Sequence, residues 1–258
     1  MTWDACTLVG PWPFARLRYE SAADLLRLLE RAGIARALVS PLAGAFQQDP
    51  GPANQELAAQ VACHRDRLLL AAACNPAWPG WQRDLRQAQE DLGAVGLRLF
   101  PSYHGYQLGQ AEVAALAALA ADCDLPVFIT VRLQDERLHP PAFLVSAVPW
   151  EEVAALAQAH PGTRFVMSMG RFAELIPALR QTAGTGNLYA DIAGVQGPTR
   201  CLDRLVAEVG ADRLLFGTEL LFQYAAAATL KVEHSGLSPR DRQALCMGNL
   251  QRLLRLPA

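Results

Sequence analysis

Arg213-Leu214-Leu215-Phe216-Gly217-Thr218-Glu219 decides the fold. It is a short apolar run closed by Gly-Thr and a carboxylate, the pattern of a buried parallel strand ending at a solvent-facing rim. Runs of the same kind recur upstream, the first of them Thr2-Trp3-Asp4-Ala5-Cys6-Thr7-Leu8, then 35–40, 67–74, 96–100, 126–132, 164–168 and 187–192. Stretches at helical spacing separate them. The first, 22–32, is capped by Ser21 and carries Leu25, Leu26, Leu28 and Leu29 as an apolar stripe. The others are 54–64, 81–92, the alanine-rich 111–121, 151–159, 172–182 and 199–209, with 222–230 and 239–254, capped by Ser238, closing the chain. Eight strands alternating with helices predict an α/β parallel sheet with right-handed crossovers. Eight also suits closure into a (β/α)8 TIM barrel. The alternative, an open doubly wound sheet, uses fewer strands, and no G-x-G-x-x-G follows the first strand. No linker, low-complexity tract or charge run interrupts 1–258, so it reads as a single domain. The longest loop, 133–149, follows strand five on the rim side and is a candidate lid.

Composition narrows the function. With 52% hydrophobic residues, the 258-residue chain can fill a barrel interior and the inner faces of its helices. A net charge of −2 provides no global field for nucleic acid or an anionic membrane. Lys231 is the only lysine and follows the eighth strand, so neither a carbamylated lysine on a mid-barrel strand nor a barrel Schiff base is available. The six cysteines form no C-x-x-C pair and read as reduced, mostly buried thiols. No basic and then apolar leader opens the chain, and apolar runs are broken well short of a membrane span. The expectation is a soluble, cytoplasmic protein with a small-molecule partner and no nucleic-acid or membrane partner. Its apolar helix faces leave room for a homodimer.

Catalytic groups of a barrel come from the C-terminal ends of its strands and the loops after them. Those positions offer Asp4 and Cys6, which period-two alternation places on one face, then Arg98 with Tyr103 and His104 beyond it. They continue with Thr130, Arg132, Asp135, Glu136, Arg137 and His139, then Ser168, Asp191, Thr218 and Glu219. A charge inside an apolar strand is costly unless paired. Arg98, Arg132, Asp4 and Asp191 therefore form either a structural ion-pair network across the mouth or a substrate site. In the second case an arginine grips a carboxylate by two hydrogen bonds, and Glu219 or Asp191 moves the proton. His64 and His160 sit at helix ends and His234 in a late loop, whereas His104 and His139 fall on the rim. Cys6 reads as a small buried hydrophobe ahead of a nucleophile, and Ser168 lacks the G-x-S-x-G turn. The available metal donors are Cys6, Asp191 and Glu219, with His104 or His139 reaching in, and no two histidines are closely spaced. A catalytic zinc wants three protein ligands, mostly imidazole. The expectation is therefore no tightly bound metal, with a weakly held divalent ion such as zinc as the alternative.

Several segments resemble the amidohydrolase-related (amidohydrolase 2) family of TIM-barrel metal-dependent hydrolases and decarboxylases. These are Gly96-Leu97-Arg98-Leu99-Phe100-Pro101-Ser102-Tyr103-His104-Gly105-Tyr106, Leu125-Pro126-Val127-Phe128-Ile129-Thr130 with Asp135-Glu136-Arg137 and His139-Pro140, Leu215-Phe216-Gly217-Thr218-Glu219, and Gly248-Asn249-Leu250-Gln251-Arg252-Leu253-Leu254. The resemblance implies a TIM barrel with a substrate pocket. Against the family pattern, D-x-H-x-H on strand one appears as Asp4-Ala5-Cys6-Thr7-Leu8, and no histidine falls at Thr130 to Arg132. H-x-G on strand six appears as Ser168-Met169-Gly170, and the strand-eight aspartate as Glu219. Metal-activated water needs those ligands. The expectation is a degenerate member acting on a small carboxylated or carbonyl-containing molecule by hydrolysis or decarboxylation. Glu219, Asp191 and His104 would be catalytic, and Arg98, Arg132, Tyr103, His139, Asp4 and Cys6 would bind substrate. A non-catalytic binding protein and a Cys6-dependent hydrolase are the alternatives.

Overall fold

The computed structural model describes residues 1–256 apart from 136, 138–142, 198, 199 and 221. Eight strands alternate with helices: β1 (Trp3–Val9), α1 (Ala22–Arg31), β2 (Arg36–Pro41), α2 (Gly51–Val61), β3 (Leu68–Ala73), α3 (Trp81–Glu90), β4 (Gly96–Leu99), α4 (Pro101–His104), α5 (Ala111–Asp122), β5 (Val127–Thr130), α6 (Trp150–Ala159), β6 (Phe165–Ser168), α7 (Phe172–Gln181), β7 (Leu188–Asp191), α8 (Cys201–Val209), β8 (Leu214–Leu215), α9 (Ala225–Glu233), α10 (Pro239–Gln243) and α11 (Asn249–Leu253). The strands pair in sequence order, each neighbouring pair parallel. Ala5 N donates to Phe216 O at 2.9 Å and Glu219 N to Cys6 O at 2.8 Å, so β8 returns to β1 and the barrel is nearly closed.

Alternation sorts the strands into two cores. Leu97, Leu99, Val127, Ile129, Phe165 and Met167 point outward and pack under the helices. Trp3, Ala5, Leu38, Ala71, Phe128, Val166 and Leu215 fill the lower interior. Leu250 and Leu253 of α11 plug that end, held by Asn249, whose Nδ2 donates to Ala211 O and Leu214 O at 2.7 Å each. Above the apolar interior lies a buried polar layer with Ser40, Arg98, Thr130, Ser168 and Asp191 among its members.

The helix expected at 54–64 runs Gly51–Val61, a short helix at Pro101–His104 lies where none is expected, and three elements near the end of the chain differ as well. The eighth strand is only two residues long because Phe216 N turns to Leu245 O, at 2.9 Å, instead of extending a ladder. The helix expected at 222–230 starts at Ala225, since Phe222 packs its ring on Trp12 at 4.9 Å and Gln223 reaches back to Glu219. The closing helix is interrupted by a π-helical turn at Ala244–Gly248. No helix among the described residues is long and apolar enough to cross a membrane.

Candidate functional site at the barrel rim

Asp4 opens the polar layer. The register of β1 against β2 shifts between Asp4 and Thr7, so strict alternation does not relate Asp4 to Cys6. The Asp4 carboxylate folds back instead. Oδ1 accepts from Cys6 N at 2.9 Å and Thr218 N at 3.1 Å, and Oδ2 pairs with the Thr218 hydroxyl. Burial pushes the Asp4 carboxyl up to about 7, against the pull of Thr218 and the Cys6 amide.

Asp191 at the end of β7 is wholly buried. Its Oδ1 accepts from Met169 N at 3.2 Å and Ala193 N at 3.1 Å, while Oδ2 has no hydrogen-bond partner and the Ser168 hydroxyl lies near it without closing one. Burial raises its pKa, partly offset by Ser168, Met169 N and Arg98. A Cβ placed on Gly217 would stand 3.0 Å from Asp191 Cβ and 3.1 Å from Cys6 Cβ, which brings the ends of β1, β7 and β8 into contact. The Cys6 thiol is driven well up by burial and then by Asp191, so it is a neutral thiol packed with Met169 and Ala193.

Glu219 is the most constrained member. Its backbone is left-handed, with φ of +54°, a conformation costly for a non-glycine residue. Oε2 accepts from Gln223 Nε2 at 2.7 Å, whereas Oε1 is buried without a partner. Burial raises its pKa well above the ordinary carboxylate range, which favours the protonated acid.

The arginines behave differently from one another. Arg98 lies inside the barrel, 1% exposed, with Nε to Ser40 Oγ at 2.9 Å and longer contacts to Thr130 Oγ1 and Ala5 O at 3.3 Å each. Arg132 is clamped by Glu174 of α7 through two bonds of 2.8 and 2.6 Å and also donates to Met169 O at 2.7 Å. His104 turns away from the carboxylates. Its Nε2 bonds Gly44 O at 2.8 Å, and burial lowers its pKa, leaving a neutral ring. Tyr103 packs on Phe46 at 5.5 Å, and burial raises the pKa of its phenol. His139 lies outside the described residues. Asp4, Cys6, Arg98, Asp191 and Glu219 thus meet in one cluster, Arg132 and Tyr103 flank it, and His104 belongs to the β2 side.

An aromatic group covers part of the mouth. Trp12 meets Phe14, Phe46 and Phe222 at 5.1, 5.4 and 4.9 Å, and Phe143 joins at 4.8 Å from Phe14. Beside it a cavity of about 310 Å³ opens on the β5–β8 side. Arg132, Arg137, Arg171, Glu219, Phe222 and Gln223 are among its walls. Sequence reasoning missed Glu174, Arg171, Gln223 and the aromatic group. The one available signal was for Glu174: a strand-end arginine such as Arg132 needs a buried counter-charge, and Glu174 falls in the first turn of the next helix but one.

A family model described as amidohydrolase matches residues 10–256. The chain belongs to the amidohydrolase family. This amidohydrolase also superposes on 2,6-dihydroxybenzoate decarboxylase from Rhizobium, with a TM-score of 0.75, 18% identity and 99% of both chains covered. It is similar to dihydroxybenzoic acid decarboxylase from Polaromonas sp. JS666, solved with manganese and 2-nitroresorcinol (TM-score 0.75, 19% identity, 99% and 97% covered). The match to 5-carboxyvanillate decarboxylase from Sphingomonas paucimobilis has a TM-score of 0.78 at 13% identity over 99% of both chains. At these identities the likeness is one of fold. No curated protein matches the chain.

The manganese of one relative makes metal binding a question for this amidohydrolase. Among the described residues no three His, Cys, Asp or Glu side chains are grouped so as to hold a metal ion. The candidate donors Cys6, Asp191 and Glu219 include no imidazole, and a guanidinium, that of Arg98, is buried in the same layer. A donor set without imidazole and beside a fixed positive charge is a poor fit to a divalent ion.

Proposed function

We propose that this amidohydrolase binds a small carboxylate, aromatic or otherwise flat, in the rim cavity and removes or transforms its carboxyl group, with Glu219 as the proton donor. The observation that carries this reading is the Glu219 Oε1 atom. It is buried, without a partner, in the wall of a cavity that three arginines also line. Arg171 would draw in the anion, with Arg137, itself paired with Asp135, beside it, and Phe222 lines the apolar part. Arg132, already committed to Glu174, would shape the wall. In a decarboxylation the bond from carbon to carboxylate breaks, carbon dioxide leaves, and the proton of Glu219 passes to that carbon. Asp191, held by two backbone amides, is the nearby group through which the proton is replaced. The fold neighbours, which act on dihydroxybenzoate and carboxyvanillate, support this substrate class.

The test is a panel of hydroxybenzoates assayed for binding by calorimetry and for carbon dioxide release. Glu219→Gln is expected to lower turnover by roughly 100-fold or more, the scale of a lost general acid, while binding stays within about threefold. The clamping of Arg132 by Glu174 favours a second reading, a binding protein without catalysis. Tight binding with no product from any panel member would select it.

A further inference from the structure

Lys231, the sole lysine of the chain, is half-buried on α9 and takes no part in the rim cluster. Its Nζ donates to Ile192 O, just past β7, at 2.9 Å. Among the described residues no carboxylate stands within ion-pair distance of it. A cation taken part-way out of water with one carbonyl as its partner is short of counter-charge, and burial lowers its pKa accordingly. Lys231 lines a cavity of about 540 Å³ between the loop after β7 and α9. The other basic walls are Arg200 and His234, and no Asp or Glu is among its described walls. Arg200 is paired with Asp203, so Lys231 is the cationic wall left without a carboxylate. Val195, Leu202 and Leu230 make much of the remainder apolar. Gln196 and Gln223 are walls of this cavity and of the rim cavity alike, so the two spaces adjoin.

We propose that this second cavity binds a small carboxylate with an apolar body, whose head group takes the Lys231 ammonium as its counter-charge. Three observations converge on that class. The cavity is of a size that holds a small organic molecule. Its walls carry basic groups and no acidic one, which selects an anion over a cation. An ammonium has three donors, and Ile192 O occupies one of them, so donors remain for a carboxylate. The partial burial of Lys231 makes such a pair stronger than one in open water, and the aliphatic walls give the rest of the molecule a place to leave water. The site stands on its own walls and does not depend on chemistry at the rim, so the two readings fail separately.

The test titrates the protein by calorimetry with hexanoate and with hexanamide, its uncharged counterpart. The expected result is one equivalent of hexanoate bound at about 5 mM or tighter, with hexanamide weaker by about tenfold or more. Lys231→Met is expected to weaken hexanoate by about tenfold or more, whereas Lys231→Arg, which keeps the charge, stays within about threefold. Arg171→Ala, which removes a cation of the rim cavity, should leave hexanoate within about twofold. Hexanamide bound as well as hexanoate, or hexanoate bound equally by Lys231→Met, overturns the proposal. So does a loss in Arg171→Ala that Lys231→Met does not share, and so does the absence of hexanoate binding, whatever the hydroxybenzoate panel gives at the rim. If Lys231→Met does not fold, protection in the parent decides. Saturating hexanoate is expected to slow acetylation of Lys231 by acetic anhydride, read by peptide mass, without slowing that of the Met1 amine. Equal Lys231 rates with and without hexanoate overturn the proposal.

Discussion

Glu219 combines two unfavourable features, a left-handed backbone and a buried acid oxygen without a partner. Such features persist where the surroundings enforce them, and they concentrate at functional sites. Glycine adopts this backbone freely. Glu219→Gly is therefore expected to raise stability by about 1 kcal/mol while abolishing turnover, a pairing that thermal melts and the carbon dioxide assay would reveal together. A variant that melts lower would show that the Gln223 bond outweighs the strain. Cys6 gives the opposite kind of prediction. Its thiol is neutral and 2% exposed, whereas Cys63 is exposed. An alkylating reagent at neutral pH should mark Cys63 within minutes and Cys6 only after denaturation, as peptide mapping would show. Fast labelling of native Cys6 would revive the thiol hydrolase.

Strands were readable in the chain because both of their faces are buried, which leaves short, nearly unbroken apolar runs. A charge in such a run, as at Arg98 or Asp191, was equally visible. Invisible were the features set by contacts across the fold. Nothing near Phe216 announces that its amide will turn to Leu245, and nothing near His104 announces Gly44 as its partner. The Arg132–Glu174 pair belongs to this class. It ties the end of β5 to the first turn of α7, and Glu174 also accepts from Arg171 N at 2.8 Å, satisfying a donor at the helix start. Removing one member strands a guanidinium that is 6% exposed. Glu174→Ala should cost about 3 kcal/mol in denaturant unfolding. A loss below about 0.5 kcal/mol would class the pair with ordinary surface ion pairs.

At the scale of the molecule, burial raises the pKa of Asp4, Asp191 and Glu219 alike, so folding holds protons that the unfolded chain releases. For Asp4 the unfolded carboxyl ionises near 3.8 and the folded one near 7. Its contribution is fully present below about pH 4 and is lost as pH rises through 7. Stability should accordingly fall from pH 5 to pH 8 by a few kcal/mol. Asp4→Asn, which keeps an oxygen for the two amides and gains a donor for Thr218, should flatten much of that slope in urea titrations at several pH values. An unchanged slope would place the proton elsewhere. The same Asp4 contact joins residues 214 positions apart in the chain. The seam it fastens comes together only when the earliest strand receives the latest, so a partly synthesised or partly folded chain has no rim to offer. Ligand affinity in this protein should report completed closure, and a small carboxylate that binds there would act as a latch on the last step of folding.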